Sequence, residues 1–591
     1  MDPAKIIKPV LMEDPILDVQ SVKYQETNIG GQNITYKTEN ASSYSSSAAS
    51  FSFYTPNQNT MLSRRILLRM RLRVDLTSAG ATGNLYKPDK MGWKQFPISS
   101  IINTMQLTLN NSNTTINLAD VVHPFSLYQD EDEIKECFST TPSMRDYFQK
   151  YSQGTGTNRS PYAKYSDNVA YPSRSTFAPV AVLVPNSSTA YRADYEFVVP
   201  LMISPLQFDN MDSNQGLLYV KSVSLNLNFV GNLAQRAWGI SDELTGNEAP
   251  TVSVTLADVP SLLLKYVTPQ SGQVKYPERS VYNYANVERF ISNNNGADVV
   301  SGNTFKLTSD NLQLNSIPHA IMVWAKRDDS TISHTTTDTF FAIEDVSIQF
   351  ANQSGLLSTA TQQDLYNMSK KNGLRCSYPE FKGETIDQTG ASVGLTGSVL
   401  CMKPGYDLPL QQGVVPGTVQ TNNFQITVTV KNVHPTDDIA PRLYIATINQ
   451  GILVSGKDGL VSQYTSSISP SVLKESVKGK KYGVRSDQKK LFGGLFVVSP
   501  KSLFRLGRHA VSGAVKAASG NIPGALMEIP GAIADDIKFV DEDAKSLSKL
   551  LKKVGAKGGK VKKAKKAQGG SSLLGGKKYT QKDILKRLMN A

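Results

Sequence analysis

The sequence predicts an all-β protein of two tandem eight-stranded jelly rolls, followed by a short basic tail that is partly helical. The first observation is the many short runs, bounded by Gly, Pro and Asn, in which apolar and polar residues alternate. The second is their number, because each half of the chain offers seven or eight such runs, as an eight-stranded jelly roll requires. The third is the distribution of charge. Residues 501–591 hold 20 Lys and Arg against 7 Asp and Glu, a net charge of +13, and this is also the net charge of all 591 residues.

These patterns divide the chain into four parts. Residues 1–50 are polar and end in a Ser-rich run, so we expect an N-terminal arm that only partners order. The first jelly roll is predicted at 51–270, with a long polar loop insertion at 120–190 that projects outward or covers a contact between subunits. The second jelly roll is predicted at 271–484 and the tail at 485–591.

The clearest strand of the first half is predicted at 66–74. Its apolar residues share one face, and the opposite face carries Arg65, Arg69, Arg71 and Arg73. Like charges on one face of a strand repel, so these arginines need acidic neighbours or an anion. Salt bridges inside an oligomer and contact with packaged nucleic acid would both meet this need. The other strands of this half are predicted at 104–109, 114–118, 195–203, 217–229, 251–257 and 262–267.

The second half shows the same alternation of apolar and polar residues in short runs, but its sequence does not repeat that of the first half. Its strands are predicted at 287–291, 304–308, 320–325, 343–350, 398–403, 423–430 and 442–449. One helix is predicted at 361–371, because Thr361 is a suitable N-cap, Asp364 follows three residues later, and Leu365 and Met368 supply an apolar face. Helical patterns return only in the tail, at 501–518, 541–554 and 580–590.

The sequence indicates neither catalysis nor a bound cofactor or metal. No paired acid and base residues stand out, and the histidines lack the spacing of a metal site; they are His123, His319, His334, His434 and His509. Three widely spaced cysteines do not suggest a disulfide framework. A surface β-sandwich binding protein, such as a lectin or an adhesin, is the second class that we consider. The lack of a signal-peptide pattern and the localised basic tail argue against it.

The tail carries a dense run of lysines spaced by Gly and Ala. These are Lys552, Lys553, Lys557, Lys560, Lys562, Lys563, Lys565 and Lys566. A flexible polycation of this kind suits contacts with nucleic-acid phosphates that do not depend on base sequence. No aromatic residue is interleaved, so base stacking is not indicated. A nuclear-import signal explains the same run equally well, and a solvated tail remains an alternative.

With the strands placed, the local sequences resemble those of the double jelly-roll major capsid proteins of virophages, Polinton (Maverick) elements and adintoviruses. The first half carries PLMISPL at 200–206, LNLNF at 225–229, QRAW at 235–238 and LLLKYVTP at 262–269. The second half carries LQLNSIP at 312–318, IQF at 348–350, SGLLS at 354–358 and QDLYNMS at 363–369. The succession of these blocks, rather than any single one, carries the resemblance over about 195–455.

The resemblance implies a non-enzymatic shell protein of a DNA virus or virus-like element. Three copies would form a pseudo-hexagonal capsomer with six jelly rolls, and capsomers would tile an icosahedral shell. Implied partners are further copies of the chain, a penton protein, minor capsid proteins and, through an inward-facing tail, the viral DNA. The expected location is the virion, after synthesis in the host cytoplasm and assembly in the nucleus or in a viral factory.

Two short patterns are similar to cleavage sites of the adenovirus-type cysteine protease, which relatives of this family often encode. This protease recognises an apolar residue, any residue and then Gly-Gly before the cut. The patterns are LFGGL at 491–495 and LLGGK at 573–577. They predict cleavage between Gly494 and Leu495 and between Gly576 and Lys577. Chance matches in a Gly-rich chain are the competing explanation.

Overall fold

The computed structural model describes residues 31–465. Gaps in this description fall at 58, 131–133, 135–137, 155–156, 158, 163–173, 175–176, 207–215, 270–275, 293–297 and 411–413. The predicted tail, its three helical patterns, both candidate cleavage sites and the lysine run therefore lie outside the described residues. The described part belongs to one compact unit that contains both halves.

The first half forms strands between Gly31 and Pro269. They are β1 (Gly31–Asn40), β2 (Ser43–Tyr44), β3 (Ala48–Tyr54), β4 (Met61–Leu62), β5 (Leu67–Thr77), β6 (Met91–Trp93), β7 (Ile102–Leu109), β8 (Ser112–Ile116), β9 (Ala181–Val184), β10 (Ala190–Pro200), β11 (Ser222–Phe229), β12 (Trp238–Ile240), β13 (Thr251–Leu256) and β14 (Ser261–Pro269). Among the described residues of this half, three short helices accompany them: α1 (Pro97–Ile101), α2 (Leu118–Ser126) and α3 (Leu233–Ala237).

The second half forms strands between Arg279 and Thr465. They are β15 (Arg279–Ser292), β16 (Thr304–Thr308), β17 (Leu312–Leu314), β18 (Ala320–Arg327), β19 (Ala342–Phe350), β20 (Gln353–Leu356), β21 (Glu384–Ile386), β22 (Ser392–Gly394), β23 (Val399–Met402), β24 (Asn422–Lys431), β25 (Pro441–Gly456) and β26 (Val461–Thr465). Its helices are α4 (Gln362–Lys371) and α5 (Tyr378–Lys382). Thr361 and Asp364 form a capping box at the start of α4, which confirms the predicted helix and its cap.

Both halves have the strand order of a jelly roll. The first half pairs β1-β14-β5-β10 in one sheet and β3-β11-β7-β8 in the other. The second half pairs β15-β25-β18-β23 and β16-β24-β19-β20. Numbering these eight strands along each half gives the orders 1-8-3-6 and 2-7-4-5 in both halves. The two halves therefore repeat one topology without repeating a sequence, and the predicted all-β double jelly roll is confirmed.

The cores form because apolar residues alternate along the strands. In β5, Leu68, Met70, Leu72 and Val74 are at most 1% exposed, while the arginines between them lie on the other face. β24 in the second roll shows the same alternation, with Phe424, Ile426, Val428 and Val430 fully buried. Burying each such side chain contributes about 1.5–3 kcal/mol. One continuous hydrophobic cluster includes residues of both rolls.

The N-terminal arm that the sequence predicted at residues 1–50 extends too far along the chain. Residues 31–40 form β1, which pairs along its length with β14, and residues 48–54 form β3 in the opposite sheet. β3 directs Ala49, Phe51 and Phe53 into the core and turns Ser50 and Ser52 outward. Because small polar residues occupy the outer positions, the strand had the composition of an unfolded linker. The first roll therefore includes residues that the prediction placed in the arm.

The predicted outward loop at 120–190 is also wrong for much of its length. All nine residues of α2 are buried, and Thr141, Asp146 and Gln149 are at most 6% exposed. The prediction failed because the segment is rich in polar and charged residues, and such a composition usually indicates a loop that is exposed to solvent. Here those residues are paired with the second jelly roll, and the segment fills the space between the rolls. Among its described residues, exposed large apolar side chains occur near β9, at Val180, Val182 and Leu183.

Candidate assembly site at the junction of the two rolls

The insertion between β8 and β10 holds the first roll against the second. We call this contact region, together with the second-roll segments that it meets, the junction. α2 begins just after β8 with the sequence LADVVHPFS, which is apolar apart from Asp120, His123 and the terminal Ser126. Asp120 is 3% exposed and receives a hydrogen bond from Nζ of Lys326 on β18 at 3.0 Å. Arg289 on β15 binds its other carboxylate oxygen.

These two cations keep Asp120 ionised. Burial acts to raise the pKa of the carboxyl, but Lys326 and Arg289 outweigh burial and hold the pKa below its usual value. The network continues through Asp329, which pairs with Lys326 at 3.2 Å and with Arg236 of α3 at 2.7 Å. Positive and negative groups thus alternate across the boundary between the rolls, and each buried charge has a partner of opposite sign.

A second buried group surrounds the loop that precedes β19. Lys94 is 1% exposed and donates through Nζ to the carbonyl oxygens of Ser333 at 3.0 Å and Thr336 at 2.7 Å. Burial lowers the pKa of Lys94 to about 8, against the favourable charges of Asp338 and Asp146. The side chain of Lys94 in the first roll therefore binds the main chain of a loop in the second roll. This contact does not depend on the side chains of that loop.

His123 lies in the same group. Its ring nitrogens contact Ser100 Oγ at 2.9 Å and Gln95 Oε1 at 3.3 Å, and Nε2 lies 3.7 Å from a carboxylate oxygen of Asp338. Burial lowers the pKa of His123 to about 4, although Asp338 acts in the opposite direction. The imidazole is therefore neutral at neutral pH and is held by hydrogen bonds rather than by an ion pair.

Asp146 connects the insertion to the same loop. One carboxylate oxygen pairs with Arg174 at 2.8 Å, and the other accepts the backbone N–H of Asp338 at 2.8 Å. Burial and the nearby charge of Asp338 raise the pKa of Asp146, and Arg174 opposes them. Burial also acts to raise the pKa of Asp338. His123, Lys94 and Arg174 outweigh burial and lower this pKa below its usual value. Both carboxyls interact with the same two cations, Lys94 and Arg174.

Gln149 uses its main chain and its side chain to hold the second roll. Nε2 donates to the carbonyl oxygens of Phe340 at 3.0 Å and Leu395 at 2.7 Å, and Oε1 accepts from Thr339 at 2.9 Å. Its backbone N–H donates to the carbonyl of Gly394 at 3.0 Å. A small cavity of about 50 Å³ lies beside it, also lined by Arg327 and His434.

A separate contact joins the rolls near the β7–β8 turn. Asn110 Nδ2 donates to the carbonyl of Gly459 at 2.8 Å, and Gln463 Nε2 donates to Thr114 Oγ1 at 2.9 Å. Ser455 Oγ donates to the carbonyl of Leu218 at 2.6 Å. The rolls are therefore held at two places, which prevents rotation about a single contact. The arrangement sets the position of one roll relative to the other.

Sequence reasoning missed this junction because its partners are distant in the chain. Asp120 and Lys326 are 206 residues apart, and Lys94 and Thr336 are 242 apart. Asp120 could have indicated a buried charge, because it is the one acidic residue in a largely apolar stretch. Lys326, directly after the apolar run of β18, was a second indication. A buried charge requires a partner, but the sequence does not say which.

The arginine face of β5 finds its acidic neighbours within the chain. β10 pairs with β5 so that Glu196 lies opposite Arg71 and Asp194 opposite Arg73. The corresponding salt bridges measure 3.0 and 2.7 Å. The need for acidic neighbours is confirmed, but the partners belong to the same subunit. Neither a second subunit nor packaged nucleic acid is required to neutralise these two arginines.

Within residues 31–465, as far as they are described, no cluster of three or more His, Cys, Asp or Glu side chains could hold a metal ion. Burial raises the pKa of Cys376 and of Cys401 to about 12, so both thiols stay protonated. No described helix combines the length and apolar character needed to cross a bilayer.

Comparison with known proteins agrees with this architecture. The family model for the Sputnik virophage major capsid protein first domain matches residues 6–265, and the model for the major capsid protein V20 C-terminal domain matches residues 284–451. The putative capsid protein V20 of Sputnik virophage is 28% identical over 515 residues, which are 83% of this chain and 85% of V20.

Two solved structures are similar in fold. A chain in the cryo-EM structure of the Sputnik virophage superposes with a TM-score of 0.73 at 26% identity, covering 82% of this chain and 98% of that one. The mavirus major capsid protein gives a TM-score of 0.65 at 16% identity, with 81% and 99% covered. At its lower identity the mavirus match supports the fold alone.

Proposed function

Because this chain is a double jelly-roll major capsid protein of the virophage type, a structural subunit of an icosahedral shell, we propose that three copies form a pseudo-hexagonal capsomer. The observation that carries the proposal is the junction, which joins two rolls of identical topology into one unit. A unit with two similar rolls supplies two similar sides, so three units supply six. Self-association of this kind is a structural role, and the proposal assigns no catalytic activity to the chain.

Mass photometry of the purified chain at nanomolar to micromolar concentration tests the capsomer. We expect a species of three times 64.5 kDa and hexagonal outlines in negative-stain images. A monomer across this range would contradict the trimer.

We further propose that the tail faces the interior and contacts the viral DNA through Lys552, Lys553, Lys557, Lys560, Lys562, Lys563, Lys565 and Lys566. The position of the whole charge excess in residues 501–591 supports this. The full chain should bind duplex DNA with an affinity that falls steeply with salt, and residues 1–494 should not. Equal DNA binding by both would contradict the proposal. Import of a fused reporter by residues 552–566 alone would favour a nuclear-import signal.

We propose that an adenovirus-type maturation protease cleaves after Gly494 and after Gly576, before Leu495 and Lys577. Both patterns lie within the predicted tail, and the first lies near its start, so cleavage after Gly494 would release nearly all of the tail once the shell has closed. Mass spectrometry of mature particles should then find peptides that end at Gly494 and few from 501–591. Tail peptides in full stoichiometry would contradict release.

The remaining partners and the place of assembly follow from the capsid role. We propose that a penton protein and minor capsid proteins complete the shell, because hexagonal capsomers alone tile a flat lattice. We also propose that the chain is made in the host cytoplasm and assembled in the nucleus or in a viral factory. Labelled capsid protein in infected cells would distinguish these two sites.

A further inference from the structure

The surface formed by α4, α5 and the neighbouring part of the insertion carries more cations than carboxylates. Lys370 and Lys371 lie in the last turn of α4 and are exposed. Arg159, in the insertion of the first roll, is 52% exposed, whereas the side chain of Arg145 is 14% exposed. We call these four residues, together with Glu380 of α5, the basic shelf.

The two arginines of the basic shelf share one carboxylate. Nη2 of Arg145 lies 3.1 Å and Nη1 of Arg159 lies 3.7 Å from the same oxygen of Glu380. The other oxygen of Glu380 accepts the backbone N–H and the hydroxyl of Ser377 in the capping box of α5. Both guanidinium groups also lie over the ring of Tyr147, at 4.6 and 5.1 Å from its centroid. One negative charge is thus divided between two positive charges.

Aromatic side chains connect these arginines to the lysines of α4. Tyr378 of α5 packs against Tyr366 of α4 with ring centroids 5.2 Å apart, and Nζ of Lys370 donates to the hydroxyl of Tyr366 at 3.1 Å. Burial raises the pKa of the Cys376 thiol to about 12, and Arg145 and Lys370 both act to lower it, so both cations lie near this thiol. The basic shelf is therefore one continuous surface, in which the ring of Tyr378 is partly exposed.

Other exposed cations of this protein have carboxylates of their own. Arg192, which is 44% exposed, pairs with Asp75. In the part of the chain that the structure describes, no carboxylate oxygen lies within 4.0 Å of the ammonium groups of Lys370 and Lys371. The dipole of α4 stabilises lysines in its last turn, but it does not explain why two arginines gather on the same surface. This excess of positive charge suits an anionic partner.

Arg375 lies close to the basic shelf in the chain but is not part of it. It pairs with Asp130 at 3.1 Å. Three more acidic residues follow Asp130 in the sequence, at 131–133. The charge of Arg375 is therefore already balanced, and an anionic partner gains little from it.

The strand β25 separates the basic shelf from the point where the described chain ends. The loop before β25 contacts the end of α5, because a Cβ added at Gly383 would lie 3.0 Å from Val433. β26 follows the other end of β25, and the described chain ends there at residue 465. The basic shelf and this exit of the chain toward the tail therefore lie at opposite ends of the second roll. If the tail faces the interior, as proposed above, the basic shelf faces outward.

We propose that the basic shelf binds an anionic polysaccharide outside the particle. A sugar chain with sulfate or carboxylate groups presents several negative charges in a row, which matches four cations spread over α4 and the insertion. Arginine suits such groups, because its planar guanidinium donates two parallel hydrogen bonds to one oxyanion. The partly exposed ring of Tyr378 offers an apolar face to a sugar ring. The outward position rests on the inward-facing tail proposed above, whereas the binding chemistry does not.

Lysine acetylation footprinting of the full chain tests the site residue by residue, so that binding of the probe to the basic tail does not interfere. The probes are a heparin hexasaccharide, which carries sulfates, and a hyaluronan hexasaccharide, which carries carboxylates alone. We expect Lys370 and Lys371 to lose most of their reactivity at saturation with one or both probes. Lys221 and Lys457 are exposed at the other end of the subunit and should keep their reactivity. The probe that protects shows which anionic group is bound.

Arg159→Gln should raise the probe concentration that half-protects Lys370 and Lys371 about tenfold, because a charge-assisted contact is lost. Arg192→Gln is the matched control, because Arg192 is similarly exposed but has Asp75 as its partner, and it should change nothing. Circular dichroism checks that both variants are folded. Lysines of α4 that stay reactive while the tail lysines are protected would overturn the site. Equal protection by duplex DNA of the same charge would overturn recognition of a polysaccharide. Neither result bears on the capsomer, which mass photometry tests separately.

Discussion

At the scale of single residues, buried charges with partners distinguish this protein. Asp120, Asp146 and Lys94 of the first roll are each at most 3% exposed, and each contacts a segment of the second roll. A buried ion pair adds little net stability, but removal of one partner leaves an unpaired charge, which typically costs 3–5 kcal/mol. Such residues specify which surfaces meet.

Replacement of Asp120 by Asn should destabilise the subunit by roughly 3 kcal/mol, because Arg289 and Lys326 lose their shared counter-charge. Denaturant unfolding of the purified subunit measures the loss. Asp75→Asn is the matched control, because Asp75 pairs with Arg192 at the surface, where the side chains are 26% and 44% exposed. Its effect should stay below about 1 kcal/mol. Similar losses in both variants would contradict the junction as described.

The buried histidines should make the subunit sensitive to acid. The pKa of His123 is about 4 in the folded chain and near 6.5 when unfolded, so the unfolded state binds more protons between these values. Stability should therefore fall as the pH drops from about 6.5 to about 4, by about 3 kcal/mol for this residue. His123→Gln should flatten that part of the curve of unfolding free energy against pH. His319→Gln should add a second, independent flattening, because burial also lowers the pKa of His319 to about 4. A curve that His123→Gln leaves unchanged would refute this account.

At the scale of elements, the connections are as specific as the strands. The loop between β22 and β23 must pass close to the chain that precedes β19. Gly397 there has φ +89°, and a Cβ would lie 2.1 Å from the carbonyl oxygen of Phe340. The same carbonyl accepts Gln149 Nε2, so this loop belongs to the junction.

Gly397→Ala should therefore destabilise the subunit strongly, by more than about 3 kcal/mol, because both the backbone angle and the space exclude a methyl group. Gly390→Ala is its control: φ is +84°, but no atom lies within 4 Å of the added Cβ. The control should lose only the conformational cost of about 1–2 kcal/mol. Thermal unfolding of both variants compares the two, and equal melting temperatures would disprove the close approach.

At the scale of the whole molecule, the two rolls behave as one unit and the tail is separate in charge. Residues 1–494 have no net charge, because residues 495–500 are uncharged and 501–591 carry the full +13. Every contact described above lies within residues 31–465. We therefore expect them to form without the tail.

A chain of residues 1–494 should consequently fold, melt within a few degrees of the full chain and retain its oligomeric state. Differential scanning calorimetry and mass photometry provide the comparison. A single cooperative transition is expected for the two rolls, because the ion pairs and hydrogen bonds of the junction couple them. Insolubility, or loss of the oligomer seen with the full chain, would show that the tail contributes to the fold.

The sequence by itself determined the features that depend on neighbouring residues. The alternation in β5, the capping box of Thr361 and Asp364, and the uneven charge each extend over a few residues or a simple count, so they were predictable. The succession of short blocks also identified the double jelly roll.

Only the tertiary structure decided which segments meet. The serine-rich stretch of β3 became a core strand because β11 lies beside it, and the polar insertion became buried because the second roll supplies its counter-charges. Composition alone cannot distinguish a solvated carboxylate from one paired with a cation two hundred residues away, since the free energy of a charge depends on its surroundings rather than on its sequence neighbours.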